Sequence, residues 1–571
     1  MWRLGFEKPL RRFCEREIIF SIITPYIIVS GEFILRPNFF QVLMTDLGYE
    51  FLYEVTNQGI AERISEEERD AIHIETPLDD KIRREISQGN QVVLTGNPGD
   101  GKSQYVQKFK TEFNPPDYYY VVDASEYEIE ELAEEWRQAV TDDKAGIVAI
   151  NDGILNNLAE WAQNSGTQFD FLVDDVLGQL EGQIVHGDPD TVVFDSRFTT
   201  IDLGNRSFIA EAGGENDAPG AGAVRRVIMK LTSDIAPDTR EEATNHAESN
   251  AVALQDELVI ETLGRLLTRL DQTVDHMTVR DVLNFISYCI TGGQKEPDEE
   301  VNINDPSYNL HYYNLAQNID GVYLSQQLAK HFDPHLTSLP TIDIQLWDEI
   351  EEGVSYSDYN LESLKQQYIC LKRAALFGDE AAPPEYSDGF IRRFLQEQQR
   401  TEFEEYIRND VNRQVIGFVR LLNNYFVETP HDDTLRIWFD HNYEYGDPDV
   451  LVSGNTVSTS EFNVEIPELH PTIEDALGYT PPYFVFEYNH SGETIAELRV
   501  DYSLFRFLKT GGEETPASIS SQSLENRVIQ FMEQIYRHHT DSEDDIRIKH
   551  KQSDAITQIK ISPTGHAYSL E

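Results

Sequence analysis

A chain of 571 residues with 40% hydrophobic and 11% aromatic content can bury several cores, which excludes a disordered acidic tail despite a net charge of −55. The imbalance, 101 acidic against 46 basic residues, reads as the carboxylate-rich surface of a protein from a salt-in halophile. In molar salt the Debye length is about 3 Å, so the charge by itself does not exclude a nucleic-acid partner. Three widely spaced cysteines (Cys14, Cys289, Cys370) exclude a disulfide framework and a thiolate metal site. They read as reduced thiols of a cytoplasmic protein.

Residues 1–43 differ from the rest. They hold six basic residues (Arg3, Lys8, Arg11, Arg12, Arg16, Arg36) against four acidic ones (Glu7, Glu15, Glu17, Glu32). Their apolar part, Ile18 to Val29, is 12 residues long and interrupted by Ser21, Thr24 and Pro25, too short and too polar to span a bilayer. No cleavage site of the A-x-A type follows. The segment is expected to be a non-native extension, with translation starting at Met44. From there to Gly89 the pattern is helical, and Thr76-Pro77 marks a helix start.

The decisive stretch follows. Val92 to Leu94 reads as a buried strand, Gly96-Asn97-Pro98-Gly99-Asp100-Gly101-Lys102-Ser103 fits G-x-x-x-x-G-K-[ST] without a mismatch, and Ser103 to Phe113 reads as a helix. Glycines let backbone N–H groups turn inward around phosphate oxygens, and a helix start favours an anion. The expected nucleotide contacts are Gly96, Asn97, Pro98, Gly99, Asp100, Gly101, Lys102, Ser103 and Gln104. Lys102 would reach the β- and γ-phosphates of ATP, and the Ser103 hydroxyl would hold Mg²⁺.

Tyr118 to Asp123 reads as a second strand, Glu126 to Val140 as a helix, Ala145 to Asn151 as a third strand and Ile154 to Ala162 as a helix. This alternation predicts a parallel three-layer α/β domain over 44–223, with ligands at the carboxyl ends of the strands. Hydrolysis also needs a carboxylate for the metal or the attacking water. Asn151-Asp152 lies about 49 residues after Lys102, a spacing that suits an additional-strand (AAA-like) P-loop NTPase, and Asp152 is the favoured catalytic and metal-linked residue. Asp123, about 21 residues after Lys102, is the alternative, and Asn151 a polar sensor of the γ-phosphate. Each is also a good helix N-cap.

Thr191 to Asp195 and Thr199 to Leu203 read as strands, and Asp195, Asn205 and Arg206 read as structural residues or as further candidates near the nucleotide. Gly213 to Gly222 is expected to be a loop, long enough to be a lid or a partner site. Over 224–430 the period is helical, with clear helices at Leu254 to Leu270 and Val279 to Cys289. Tyr368 to Leu376 and Phe390 to Phe403 also read as helices, and the pair Arg392-Arg393 reads as a basic helix face paired to carboxylates or, as the best-placed candidate, a phosphate-sensing arginine. Residues 431–571 read as an α+β domain whose strands surround a helix at Ser521 to Tyr536, with no nuclease constellation. The run Leu504 to Phe507 reads as core or as a docking surface.

The GDGKS loop, the A-I-N-D-G-I-L strand end, the R-R-F pair and the D-Y-S-L-F-R-F-L stretch resemble the DptF family, the ATPases of phosphorothioation-dependent restriction systems in bacteria and archaea. The resemblance implies a cytoplasmic ATP- and Mg²⁺-dependent protein. It would work with sister subunits against DNA lacking a sulfur-modified backbone, reach DNA through that complex, and use no membrane. Only Gly96, Gly99, Gly101, Lys102 and Ser103 transfer securely. The alternative expectation is a regulatory NTPase acting as a nucleotide-driven assembly switch, because the strand expected to carry the catalytic carboxylate ends in Asn151-Asp152 rather than a D-E pair.

Overall fold

The computed structural model describes residues 48–57, 68, 71–113, 117–165, 171–185, 197–211, 220–271, 276–297, 322–331, 333, 411–426, 434–440, 450–510, 521–538, 545–550, 556–561 and 568–570. Residues 343, 344, 347, 348, 368, 369, 372, 373, 403 and 406 are described singly or in pairs. Several expectations lie outside these residues: the 1–43 extension, Cys14 and Cys370, the strand at 191–195, most of the 213–222 loop, most of the 368–376 and 390–403 helices, and Arg392-Arg393.

Helix α1 (Tyr49–Asn57) is followed by α2 (Pro77–Ser87). Proline at the first helical position has no N–H to leave unsatisfied, and the Thr76 N–H donates to Asp79 Oδ2 at 2.8 Å, which closes the start. Strand β1 (Gln91–Thr95) is buried at every position, as expected of a parallel strand covered on both faces. It leads through the glycine loop into α3 (Lys102–Glu112), then β2 (Tyr118–Val121), α4 (Ile129–Thr141), β3 (Ala145–Ala149) and α5 (Asp152–Ser165). The short β4 (Ile184–Val185) precedes β5 (Phe198–Asp202).

Strands β2, β3, β1 and β5 form a parallel sheet in that order. Val92 and Leu94 point into one apolar layer with Leu78 and Ile82 of α2 and Phe109 of α3. Val93 points into the other, with Trp136 of α4 and Leu155 of α5. The protein is therefore α/β here, with helices on both faces of a four-stranded parallel sheet.

A second core joins α6 (Ala221–Thr232), α7 (His246–Leu254), α8 (Glu257–Asp271), α9 (Val279–Thr291) and α10 (Tyr323–His331). Leu52 and Val55 of α1 belong to it, so the first described helix packs with elements far downstream. The sequence period predicts a helix over 254–270, and the structure has it as α8 with its start moved from Leu254 to Glu257. Helix α7 ends at Leu254, and Asp256 Oδ1 accepts the Leu258 N–H at 2.8 Å to start α8 afresh. Aspartate is a poor residue inside a helix and a good one at its start.

Beyond α11 (Val411–Phe426) the strands are antiparallel. β6 (Thr434–Asp440), β7 (Val450–Ser458), β12 (Asp545–His550), β13 (Ile556–Ile561) and β14 (Tyr568–Leu570) make one sheet, in the order β14-β13-β12-β7-β6. β8 (Phe462–Glu465), β10 (Tyr483–His490) and β11 (Glu493–Asp501) make another. Helices α12 (Tyr502–Lys509) and α13 (Ser521–His538) pack into the same core as these strands. Leu504, Phe505 and Phe507 are buried there, which makes that run core. One strap leaves this region. β9 (Glu468–Leu469) pairs with β4, and Leu469, Ile473 and Leu477 join the apolar layer under α2 and α3. No helix among the described residues is long and apolar enough to cross a membrane.

Candidate functional site

The glycine loop leaves the carboxyl end of β1, the strand flanked by β3 and β5. Gly96 has φ +119° and Gly99 φ +107°, values that side chains rarely adopt. Space is equally restrictive. A Cβ on Gly96 would lie 2.7 Å from Asp100 Oδ2 and 2.8 Å from the Gly204 nitrogen, and one on Gly99 would lie 3.0 Å from Thr278 Oγ1. The loop is thus pressed between the turn after β5 and the start of α9.

Beside it lies a cavity of about 190 Å³ whose lining includes Lys102, Ser103, Asp123, Asn151, Val279 and Arg280. The Lys102 ammonium folds back on the loop, donating to the carbonyl of Gly96 at 2.6 Å and to that of Asn97 at 2.8 Å. Burial pulls its pKa below the ordinary lysine range, while Asp100, Asp152, Asp123 and Asp202 pull it up. Ser103, in the first turn of α3, is half-buried at the cavity wall.

The expected contacts divide into two groups. Pro98, Gly99, Gly101, Lys102, Ser103 and Gln104 line the cavity. Gly96, Asn97 and Asp100 form the back of the loop, where the Asn97 N–H donates to Asp100 Oδ2 at 2.6 Å. The carboxylates divide as well. Asp123 lines the cavity, and its Oδ1 accepts from the Ser125 N–H at 2.8 Å and hydroxyl at 2.7 Å. Asp152 is exposed in the first turn of α5, outside the cavity lining, although its charge acts on Lys102. Asn151 lines the cavity, while its carbonyl accepts the N–H groups of Ile154 and Leu155. No strand separates β1 from β3, and it is β2, the strand leading to Asp123, that stands one strand away from β1.

Of the other candidates, Asn205 donates to Asp202 Oδ2 at 3.1 Å. Arg206 is buried, with its guanidinium over the rings of Tyr105 and Phe208, away from the cavity.

Four residues without a sequence-based role stand out. Arg280 reaches the cavity from the first turn of α9, and its N–H meets the Gly99 carbonyl at 3.4 Å. Its guanidinium has no hydrogen bond or ion pair among the described residues, in a chain with 101 acidic residues. A signal was present. The run Thr278-Val279-Arg280-Asp281 is a capping box, and a cation in a first helical turn opposes the helix dipole, so its placement needs another reason. Asp202 pairs in register with Thr95 at the end of β5, and burial raises its pKa. His276 Nε2 meets Asp100 Oδ1 at 2.6 Å, and Asp271 accepts the Ser207 hydroxyl at 2.5 Å. These last contacts span 176 and 64 residues and carry no local signature.

No family model matches the chain, and neither a curated protein nor a solved structure matches it.

Proposed function

We propose that the chain binds ATP with Mg²⁺ at the 96–104 loop and hydrolyses it. The observation that carries this is convergence: Lys102 and Arg280, neither ion-paired among the described residues, face one cavity walled by a glycine loop at a strand end. Two cations without carboxylates, in so acidic a protein, suit an anion of high charge such as a triphosphate. In this reading Lys102 exchanges its two carbonyl partners for phosphate oxygens. Arg280 takes the outer phosphate and couples α9 to it. Asn151 donates its amide to a phosphate oxygen.

The residues also fit the metal. Among the described residues no three His, Cys, Asp or Glu side chains form a cage. Mg²⁺ normally keeps its waters and takes few protein oxygens beside substrate phosphates, and Ser103 with one carboxylate meets that need. When bound, the ion supplies charge neutralisation between the phosphates. We assign the carboxylate role to Asp123, on cavity lining and on strand order, with Asp152 as the competing residue.

The larger setting we propose is an ATPase subunit of a phosphorothioation-dependent DNA-restriction complex. It rests on the resemblance in the loop, the A-I-N-D-G-I-L strand end and the D-Y-S-L-F-R-F-L stretch. A second reading, a slow nucleotide-driven assembly switch, is favoured by a specific feature: neither Asp123 nor Asp152 is followed by a glutamate. ATP turnover measured in molar KCl, alone and with sulfur-modified or unmodified DNA, separates these readings. Restriction requires turnover or complex formation that differs between the two DNAs. A switch gives tight ATP binding with slow turnover indifferent to DNA, and absence of ATP binding overturns both.

A further inference from the structure

Asp100 sits inside the loop proposed to hold phosphates, and it is 2% exposed. A buried carboxylate there would repel a phosphate and would be unstable alone. The fold gives both its oxygens partners. Oδ2 accepts the Asn97 N–H at 2.6 Å and Oδ1 meets His276 Nε2 at 2.6 Å, and neither Asp100 nor His276 lines the cavity. His276 comes from the segment between α8 and α9, two residues before the Thr278 that packs on Gly99. The imidazole contacts Asp100 of the loop, and the charges of Asp271 at the end of α8 and Asp202 at the end of β5 act on it. The charges of Asp100 and Asp202 also act on Lys102. Burial lowers the His276 pKa, and the hydrogen bond and charge of Asp100, with the other two carboxylates, outweigh it and raise the group above its ordinary value.

We propose that His276 is a positioning residue for the phosphate loop: it clamps Asp100 from behind, Asp100 holds the Asn97 amide, and the loop keeps its open cradle only while the segment leading into α9 is docked. The same segment carries Arg280 into the cavity, so docking of α9 sets the loop and delivers the arginine together. The charge of Asp271 also acts on His276. Asp271 accepts from the Ser207 hydroxyl, and the Ser207 N–H donates to the Gly478 carbonyl at 2.7 Å, in the strap from the C-terminal region.

The proposal rests on the phosphate-loop reading for its purpose, but its geometry can be tested without nucleotide. Hydrogen exchange on the ligand-free full chain, in molar KCl, follows the Asn97 amide in wild type, His276→Ala and His276→Gln. The expected result is exchange about 10-fold faster in His276→Ala and largely restored by the amide donor of His276→Gln, with the thermal midpoint preserved in the Gln variant. A fluorescent ATP analogue should bind His276→Ala about 10-fold more weakly, and the loss should shrink in an Asp100→Asn background, where no charge awaits neutralisation. Equal exchange at Asn97 in wild type and His276→Ala overturns the clamp, even if nucleotide binds. Faster exchange in a chain that binds no nucleotide keeps the clamp and removes the ATP reading. An undiminished loss in the Asp100→Asn background overturns the route through Asp100.

Discussion

The two walls of the cavity are made differently. The loop wall is eight consecutive residues, Gly96–Ser103, whose shape follows from three left-handed glycines between a buried strand and a helix. The far wall, Val279 and Arg280 of α9, arrives from about 180 residues downstream and keeps its place by packing and by the His276–Asp100 contact. Lys102 is where the local pattern demands it. Arg280 is where the local pattern resists it, in a first helical turn whose dipole disfavours a cation. The difference teaches that the loop wall owes its cation to chain-local geometry and the far wall owes its cation to docking.

The comparison can be broken by substitution. Lys102→Ala removes the charge that the loop is built around, and ATP turnover is expected to fall on the order of 10³-fold. Arg280→Ala leaves the loop intact, and kcat/KM should fall about 10²-fold, with Arg280→Lys recovering only part because a point charge lacks the planar fork. An Arg280→Ala loss equal to that of Lys102→Ala would erase the distinction, and no loss would reduce the far wall to a scaffold. Between the carboxylates, Asp123→Asn should lower kcat about 10- to 100-fold with KM nearly unchanged. Asp152→Asn should change it less than about 3-fold, because an exposed charge in molar salt is screened within about 3 Å. The reverse order returns the role to Asp152.

What the sequence reveals follows the same divide. The strand–loop–helix unit, the Thr76-Pro77 helix start and β2, β3 and α9 are legible because periodicity and capping act over a few residues. The start of α8 is legible only to within three residues, since the apolar Leu254 that closes α7 fits the same period and the Asp256 cap sets the boundary. The strap at Leu469–Leu477 is invisible for a different reason: its apolar residues look like any C-terminal core, and only the fold shows them inside the α/β layer. At the site, the residue types of the loop announce phosphate chemistry, whereas His276 is an ordinary residue until the fold sets it on Asp100 and within reach of the charges of Asp271 and Asp202.

The remaining effect is expected on stability rather than on turnover, and it is a matter of pH. Asp271 closes α8, where the helix dipole disfavours a negative charge, and burial raises its pKa from the ordinary 3.8 to about 6, against the lowering effects of the Ser207 hydrogen bond and of His276. The folded chain therefore holds this proton more tightly than the unfolded chain. Between pH about 4 and about 6 the native state binds more protons, so stability falls as pH rises through that window and the penalty is complete above it. Asp271→Asn mimics the protonated form and can still accept from Ser207. Its melting temperature should match wild type near pH 4 and exceed it above pH 6, by an amount on the order of 2 kcal/mol in unfolding free energy. A variant no more stable at pH 8 than wild type would mean that His276 fully compensates the Asp271 charge. The docking of the far wall would then be held by an ion pair rather than by a buried neutral acid.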